Sequence, residues 1–91
     1  MNLFEINTVI NRTIRISKGN WGKIISEKHP VMEKYLDSIK KTLYDPELIR
    51  LSKWDENVYL FYRKLEKYYI CVVIRVENST GFVITTSVSY T

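Results

Sequence analysis

The sequence predicts an α+β domain in which N-terminal helices pack on one face of a four- to five-stranded antiparallel β-sheet. Apolar residues recur at spacings of three and four in the first half of the chain, and they alternate with polar residues in the second half. The strands of the second half follow one another with short turns between them, which is typical of an antiparallel meander. A length of 91 residues without an internal repeat indicates a single domain over 1–91.

The first half opens with a predicted strand over Val9–Ser17, because Ile14 and Ile16 alternate there with polar neighbours. A short helix is expected to follow this strand. Either Ser17 or Asn20 could cap that helix, since hydroxyl and amide oxygens accept hydrogen bonds from the free N–H groups of a first turn.

A second helix is predicted after His29-Pro30, because proline suits the first position of a helix. Its apolar residues lie at helical spacing and form one face: Met32, Tyr35, Leu36, Ile39 and Leu43. The helix is expected to end at Asp45-Pro46, since the residue before a proline is disfavoured in the helical region.

The second half contains four predicted strands, the first of them a short edge strand: Leu48–Trp54, Val58–Leu65, Tyr68–Glu77 and Phe82–Tyr90. Glu66-Lys67 is interpreted as a tight turn. The segment Asn78–Gly81 is interpreted as a hairpin loop in which Gly81 is able to adopt a positive φ.

Helices on one side of the sheet would leave its other face partly open. The more apolar side of the last strand is predicted to face the helices: Phe82, Ile84 and Val88. The hydroxyl-bearing side is predicted to stay open: Thr85, Ser87 and Ser89. Such a face suits a polar ligand, although a solvated face is also common in antiparallel sheets.

Charge favours an anionic partner. Fourteen Lys and Arg against ten Asp and Glu give a net charge of +4, which suits nucleic acid but is also ordinary for solubility. No run approaches the roughly 18 apolar residues of a spanning helix, and the first residues lack a secretory pattern, so no membrane partner and a cytoplasmic location are expected. One His and one Cys cannot build a zinc site, and no metal or other cofactor is predicted.

An ordered set of segments carries a family resemblance: Trp21, Ile24 and His29-Pro30, then Asp45–Arg50, Tyr59–Arg63, Tyr69–Val76 and Gly81–Thr86. Over residues 13–91 the chain resembles the phage-associated nuclease-like families of the barnase, EndoU, colicin and RelE superfamily. The resemblance implies a metal-independent endoribonuclease in which the RNA 2′-hydroxyl attacks the adjacent phosphate. It departs from the expected pattern at Lys23, where relatives often carry His, and at Asn20, where they often carry Arg.

Three residues are candidates for catalysis in such an enzyme. His29 would act as acid or base, since it alone has an ordinary pKa near neutrality, or it would simply cap a helix. Arg63 would hold the scissile phosphate, or would pair across strands with Glu66 or Glu77. Lys23 would supply positive charge in place of the missing histidine, or would be an ordinary solvated lysine.

Four further residues are candidates for substrate binding. Arg50 would contact phosphate, and Tyr62 would stack on a base or donate a proton. Thr85 and Ser87 would donate to phosphate or orient a base. The alternative for each is an ordinary surface or packing role. Cys71 is interpreted as a buried inert thiol, because it lies in a strongly apolar strand.

Three hypotheses of function stay open at this point. The chain could be an RNA-cleaving toxin or phage-linked effector, with an antitoxin or immunity protein as partner. It could be a catalytically degenerate module of the same fold that binds RNA or a protein. It could also be an interaction protein that forms a homodimer through a sheet edge.

Overall fold

The computed structural model describes residues 2–8, 10–27 and 35–90. Within them the chain forms, in order, these strands and helices: β1 (Asn2–Asn7), β2 (Thr13–Ser17), α1 (Lys18–Glu27), α2 (Leu36–Tyr44), β3 (Leu48–Leu51), β4 (Val58–Leu65), β5 (Tyr68–Glu77) and β6 (Thr80–Tyr90). Neither of these helices is long and apolar enough to cross a membrane.

The strands form one six-stranded mixed sheet in the order β1-β2-β6-β5-β4-β3. All neighbours are antiparallel except β2 and β6, which pair in parallel with Ile14 opposite Gly81. The predicted fold class, with N-terminal helices on a four- to five-stranded antiparallel sheet, is therefore wrong. The chain begins with a strand hairpin, and that hairpin joins the edge of the C-terminal meander.

The N-terminal hairpin explains part of this error. Phe4 and Ile6 face the core and alternate with polar residues along β1, and they pair with Ile16 and Ile14 of β2. The predicted strand over Val9–Ser17 starts too early, because β2 begins only at Thr13. The connection is closed by the backbone N–H of Thr8, which donates to the carbonyl of Arg12 over 3.0 Å.

Both helices lie against the same face of the sheet. The buried apolar residues form one cluster: Phe4, Ile14, Ile16, Trp21, Ile39, Leu43, Phe61, Ile70, Val72, Ile74 and Val83. Ser17 caps α1, as one of the two predicted alternatives, because its Oγ accepts a hydrogen bond from the N–H of Asn20 over 3.0 Å. The predicted start of the second helix at Pro30 lies outside the described residues, whereas its end before Asp45 is confirmed.

A β-bulge in β6 changes which residues face the helices. Val73 pairs with Thr85 and Ile74 pairs with Val83, so Ile84 has no opposite residue. One extra residue reverses the alternation of the strand before that point. Val83 is consequently buried, and Phe82 lies on the other face with Arg75, its partner on β5. The prediction that Phe82 and Ile84 face the helices is therefore wrong, while Val88 does pack against the core.

Gly81 is required for space and not for a positive φ. The left-handed residue of the last hairpin is Asn78, with φ 56°. A Cβ atom on Gly81 would lie 2.6 Å from the carbonyl oxygen of Arg75 and 2.7 Å from Cδ1 of Ile14. The glycine lets β2 and β5 approach β6 closely from both sides, so the predicted conformational role of Gly81 is corrected to a packing role.

Candidate functional site

The sheet face turned away from the helices, called here the open face, carries a mixed surface. Its centre is apolar and aromatic: Leu60, Tyr62, Tyr69, Cys71, Val73 and Phe82. Every one of these side chains is partly or largely exposed, although their neighbours along each strand are core residues. The alternation of each strand therefore places a second apolar layer on the sheet, and no described helix or strand packs over it.

The four residues predicted to bind substrate lie together on the open face. Tyr62 of β4 is opposite Cys71 of β5, which in turn is opposite Ser87 of β6. In the adjacent cross-strand row, Thr85 is opposite Val73 of β5, and Val73 is opposite Leu60 of β4. Leu60 is in turn opposite Arg50 of β3. The four residues thus occupy two neighbouring rows across β3, β4, β5 and β6.

The centre of this face stays uncharged near neutral pH. Burial raises the pKa of the Tyr62 phenol, the neighbouring Cys71 thiol raises it further, and the Arg50 guanidinium lowers it in part. Burial also raises the pKa of the Cys71 thiol, against a hydrogen bond with Tyr62 that lowers it. Tyr62 can therefore stack or donate a hydrogen bond, but it is a poor base. Cys71 is half-buried rather than buried, and its protonated thiol is a poor nucleophile.

Cations border the apolar centre: Arg15, Arg50, Lys64 and Arg75. Arg75 is engaged, since its Nη1 donates to Asp55 Oδ2 and its Nε lies 3.9 Å from Glu77 Oε1. Among the described residues, Arg50 and Lys64 make no ion pair within 4.0 Å. Glu5, opposite Arg15, lies on the same face, so the open face carries both charges, and Arg50 and Lys64 are its cations outside these ion pairs.

Arg63 lies on the opposite side of the sheet from Tyr62. Its partner on β5 is the buried Ile70, and its side chain is 22% exposed. Arg63 Nη1 donates to the backbone carbonyl of Asp45 and lies 3.4 Å from Asp45 Oδ2. The guanidinium contacts the end of α2 and does not reach the open face. Its carboxylate partner is Asp45, not the predicted Glu66 or Glu77.

The other two predicted catalytic residues are not brought to the open face either. Lys23 is exposed on α1, the helix whose Trp21 packs into the core on the covered face. His29 lies outside the described residues. The described structure thus gathers Arg50, Tyr62 and the two hydroxyl residues, but it does not place Arg63 or Lys23 beside them.

Sequence reasoning missed several residues of the open face. Tyr69 and Arg75 alternate with the buried residues of β5, so the period of two already placed them with Cys71. The alternation did not predict that Phe82 lies on the open face. The bulge at Ile84 moves Phe82 to that face, and no residue pattern in this sequence indicates a bulge there.

A second concavity lies between β1 and α2. This cleft has a volume of about 520 Å³, and its lining is mixed in charge: Glu5, Ile6, Asn7, Asp37, Lys40, Lys41 and Tyr44. Two carboxylates balance two ammonium groups along it. The lining of this cleft is therefore balanced in charge.

The described residues define a small protein built on one mixed sheet, with helices on one face and an aromatic surface bordered by charged residues on the other. No family model, no curated protein and no solved structure matches the chain. The resemblance to the nuclease superfamily accordingly depends on the sequence pattern alone.

Proposed function

We propose that this chain binds single-stranded RNA across the open face of its sheet. The observation that carries the proposal is the placement of Tyr62 and Tyr69 on the face that the described helices leave open, with Arg50 and Lys64 beside them. Proteins that bind single strands stack unpaired bases on aromatic rings and neutralise phosphates with cations. Each ring on this face has a neighbouring cation within the same or the adjacent row.

The hydroxyl side of the face favours RNA over other anions. Thr85, Ser87 and Ser89 follow β6 along the edge of the aromatic centre. A hydroxyl can both donate to and accept from a ribose 2′-hydroxyl, which is the group that distinguishes RNA from DNA. A cytoplasmic location, where single-stranded RNA is abundant, belongs to the same proposal.

Binding has more support here than cleavage. Transesterification needs an acid, a base and a cation around one phosphate. Arg63 contacts Asp45 on the covered side, and the raised pKa of Tyr62 keeps its phenol protonated near neutral pH, so it cannot accept a proton as the base. The ribonuclease hypothesis with His29, Arg63 and Lys23 as catalytic residues remains an expectation from the family resemblance.

The test measures affinity for a ten-nucleotide oligouridylate labelled with fluorescein, by fluorescence anisotropy. With three phosphate contacts, raising the salt from 50 to 200 mM should weaken binding about 20-fold. Tyr62→Ala should weaken binding about 5- to 150-fold, since one base stacked on an aromatic ring contributes about 1–3 kcal/mol. Arg50→Gln should weaken binding and flatten the salt dependence by about one phosphate contact.

Matched controls come from the other side of the molecule. Tyr44 and Lys41 are exposed on α2, so Tyr44→Ala and Lys41→Gln should leave affinity unchanged. Absence of salt-dependent binding would refute the proposal, and so would an equal loss in these controls. Gel analysis of the same RNA after incubation in EDTA would separate binding from cleavage, because only cleavage yields 2′,3′-cyclic phosphate ends.

A further inference from the structure

Trp54 is the most exposed of the large hydrophobic residues in the described part of the chain, at 93%. It lies between β3 and β4, and the predicted edge strand Leu48–Trp54 is too long, because β3 ends at Leu51. The indole covers almost nothing. An uncovered indole in a small domain is a feature that binding surfaces use, since tryptophan combines a large flat ring with a single N–H donor.

The loop that carries Trp54 is held by a series of hydrogen bonds. The N–H of Trp54 donates to Ser52 Oγ over 3.1 Å, and the N–H of Ser52 donates to the carbonyl of Val58 over 2.9 Å. Asp55 accepts from the N–H of Asn57 over 2.9 Å, and its second carboxylate oxygen accepts from Arg75. The exposed ring therefore projects from an ordered support, which lowers the entropy lost when a ligand binds to it.

The same support places Trp54 at one end of the open face. Arg75, which binds Asp55, is opposite Phe82 on that face. Lys53 is exposed beside Trp54, and Arg50 lies three residues before Lys53 on the open side of β3. Two cations, Arg50 and Lys53, thus precede the indole in the chain, and the acidic Asp55 and Glu56 follow it.

We propose that Trp54 stacks on a nucleobase of the bound single strand and extends the binding site beyond the sheet. This inference depends on the proposed RNA-binding function. The ligand is one unpaired base whose flanking phosphates meet Lys53 and Arg50. Stacking tolerates any base, because every base has a π face, so Trp54 adds affinity without selecting a sequence.

A second copy of the chain is the competing occupant, because Leu48 and Leu51 are also exposed on β3. However, β3 has only four residues and forms an edge of the sheet. The strand also carries the charged Arg50. Short, charged edge strands are typical of edges that avoid such pairing.

The experiment follows tryptophan fluorescence while the ten-nucleotide oligouridylate is added. The wild type should show saturable quenching at the same midpoint as the anisotropy titration. Trp54→Phe should lose that quenching, since its one remaining tryptophan, Trp21, is 8% exposed. Trp54→Ala should weaken binding about fivefold or more, and Trp54→Phe should retain most of the affinity.

Leu51→Ala is the matched control, since Leu51 is 59% exposed on the same edge but cannot stack. It should bind the RNA as the wild type does. If the wild type binds RNA but Trp54→Ala binds equally well, this inference is overturned and the proposed function stands. If the wild type binds no RNA at 50 mM salt, both are overturned. Light scattering that shows a dimer lost in both Trp54→Ala and Leu51→Ala would assign the surface to a second copy instead.

Discussion

The guanidinium of Arg63 on β4 donates a hydrogen bond to the backbone carbonyl of Asp45, the residue at which α2 ends. The last carbonyls of a helix have no partner within the helix and carry the negative end of its dipole, so a cation is favourable there. An arginine that the sequence suggested as a phosphate ligand thus joins the end of α2 to the sheet.

Replacing Arg63 should reduce stability while leaving the RNA site intact. Arg63→Ala removes a charged hydrogen bond at a helix end, so the free energy of unfolding should fall by about 1–2 kcal/mol. Urea denaturation with an unchanged m-value would measure this loss. Asp45→Asn keeps the backbone carbonyl and should cost less than 1 kcal/mol, since the exposed ion pair contributes little. Lost RNA binding in a fully stable Arg63→Ala protein would instead indicate a phosphate ligand.

Two glycines should respond to alanine in opposite directions. Gly81→Ala places a Cβ against the Arg75 carbonyl and Ile14, so overpacking should destabilise the fold by about 1–3 kcal/mol. Gly22→Ala lies in α1 with open space around it and should stabilise the fold by about 0.5–1 kcal/mol. Thermal and urea unfolding of both variants would compare them. Equal effects at the two positions would contradict the packing role of Gly81.

Asn20 should contribute more to the stability of the fold than its position on a short helix suggests. Its Nδ2 donates to the carbonyl of Val83, the residue just before the bulge at Ile84. Asn20→Ala leaves that carbonyl without this donor in a partly buried position, so the free energy of unfolding should fall by about 1–3 kcal/mol. Hydrogen exchange in β6 should also become faster near Val83. Unchanged exchange there, in a destabilised variant, would show that the bond does not hold the bulge.

Asp55 should make the free energy of unfolding depend on pH in the acid range. The N–H of Asn57 first, and Arg75 next, hold the pKa of Asp55 below its ordinary value of 3.8. A lowered pKa in the folded state means that this contribution is complete above about pH 5, and that it is lost as the pH falls through the folded-state pKa. The stability difference between wild type and Asp55→Asn should therefore shrink between pH 5 and the acid limit of folding. A difference that stays constant over this range, measured by urea unfolding, would contradict the lowered pKa.

Much of the C-terminal half could be predicted because its signals are local. The alternation of Tyr68–Glu77 places Ile70, Val72, Ile74 and Val76 on one face; the first three are buried, and Val76 packs against the core. The tight turn at Glu66-Lys67 is confirmed, with Glu66 in the left-handed region at φ 50°. Strand period and turn chemistry act over a few residues, so they can be recognised without knowing the rest of the molecule.

The two-residue period of a β-strand also predicts part of the arrangement of the candidate site. Tyr62 and Arg63 are adjacent in one strand, so their side chains must lie on opposite faces of the sheet. The sequence alone therefore argued against a site that contains both residues. Which face would stay open for Tyr62 depended on where the helices pack.

Local patterns predicted four C-terminal strands, the end of α2 before Asp45 and the hydroxyl residues of the open face, although the edge strand ends at Leu51 and not at Trp54. The parallel pairing of β2 with β6, the reversal at Ile84 and the contact of Arg63 with Asp45 could be recognised only in the folded molecule. The reason is physical: period and turn preference are local properties of the chain. Strand partners and helix-end contacts join residues far apart in sequence, and they form because the packed core brings those residues together.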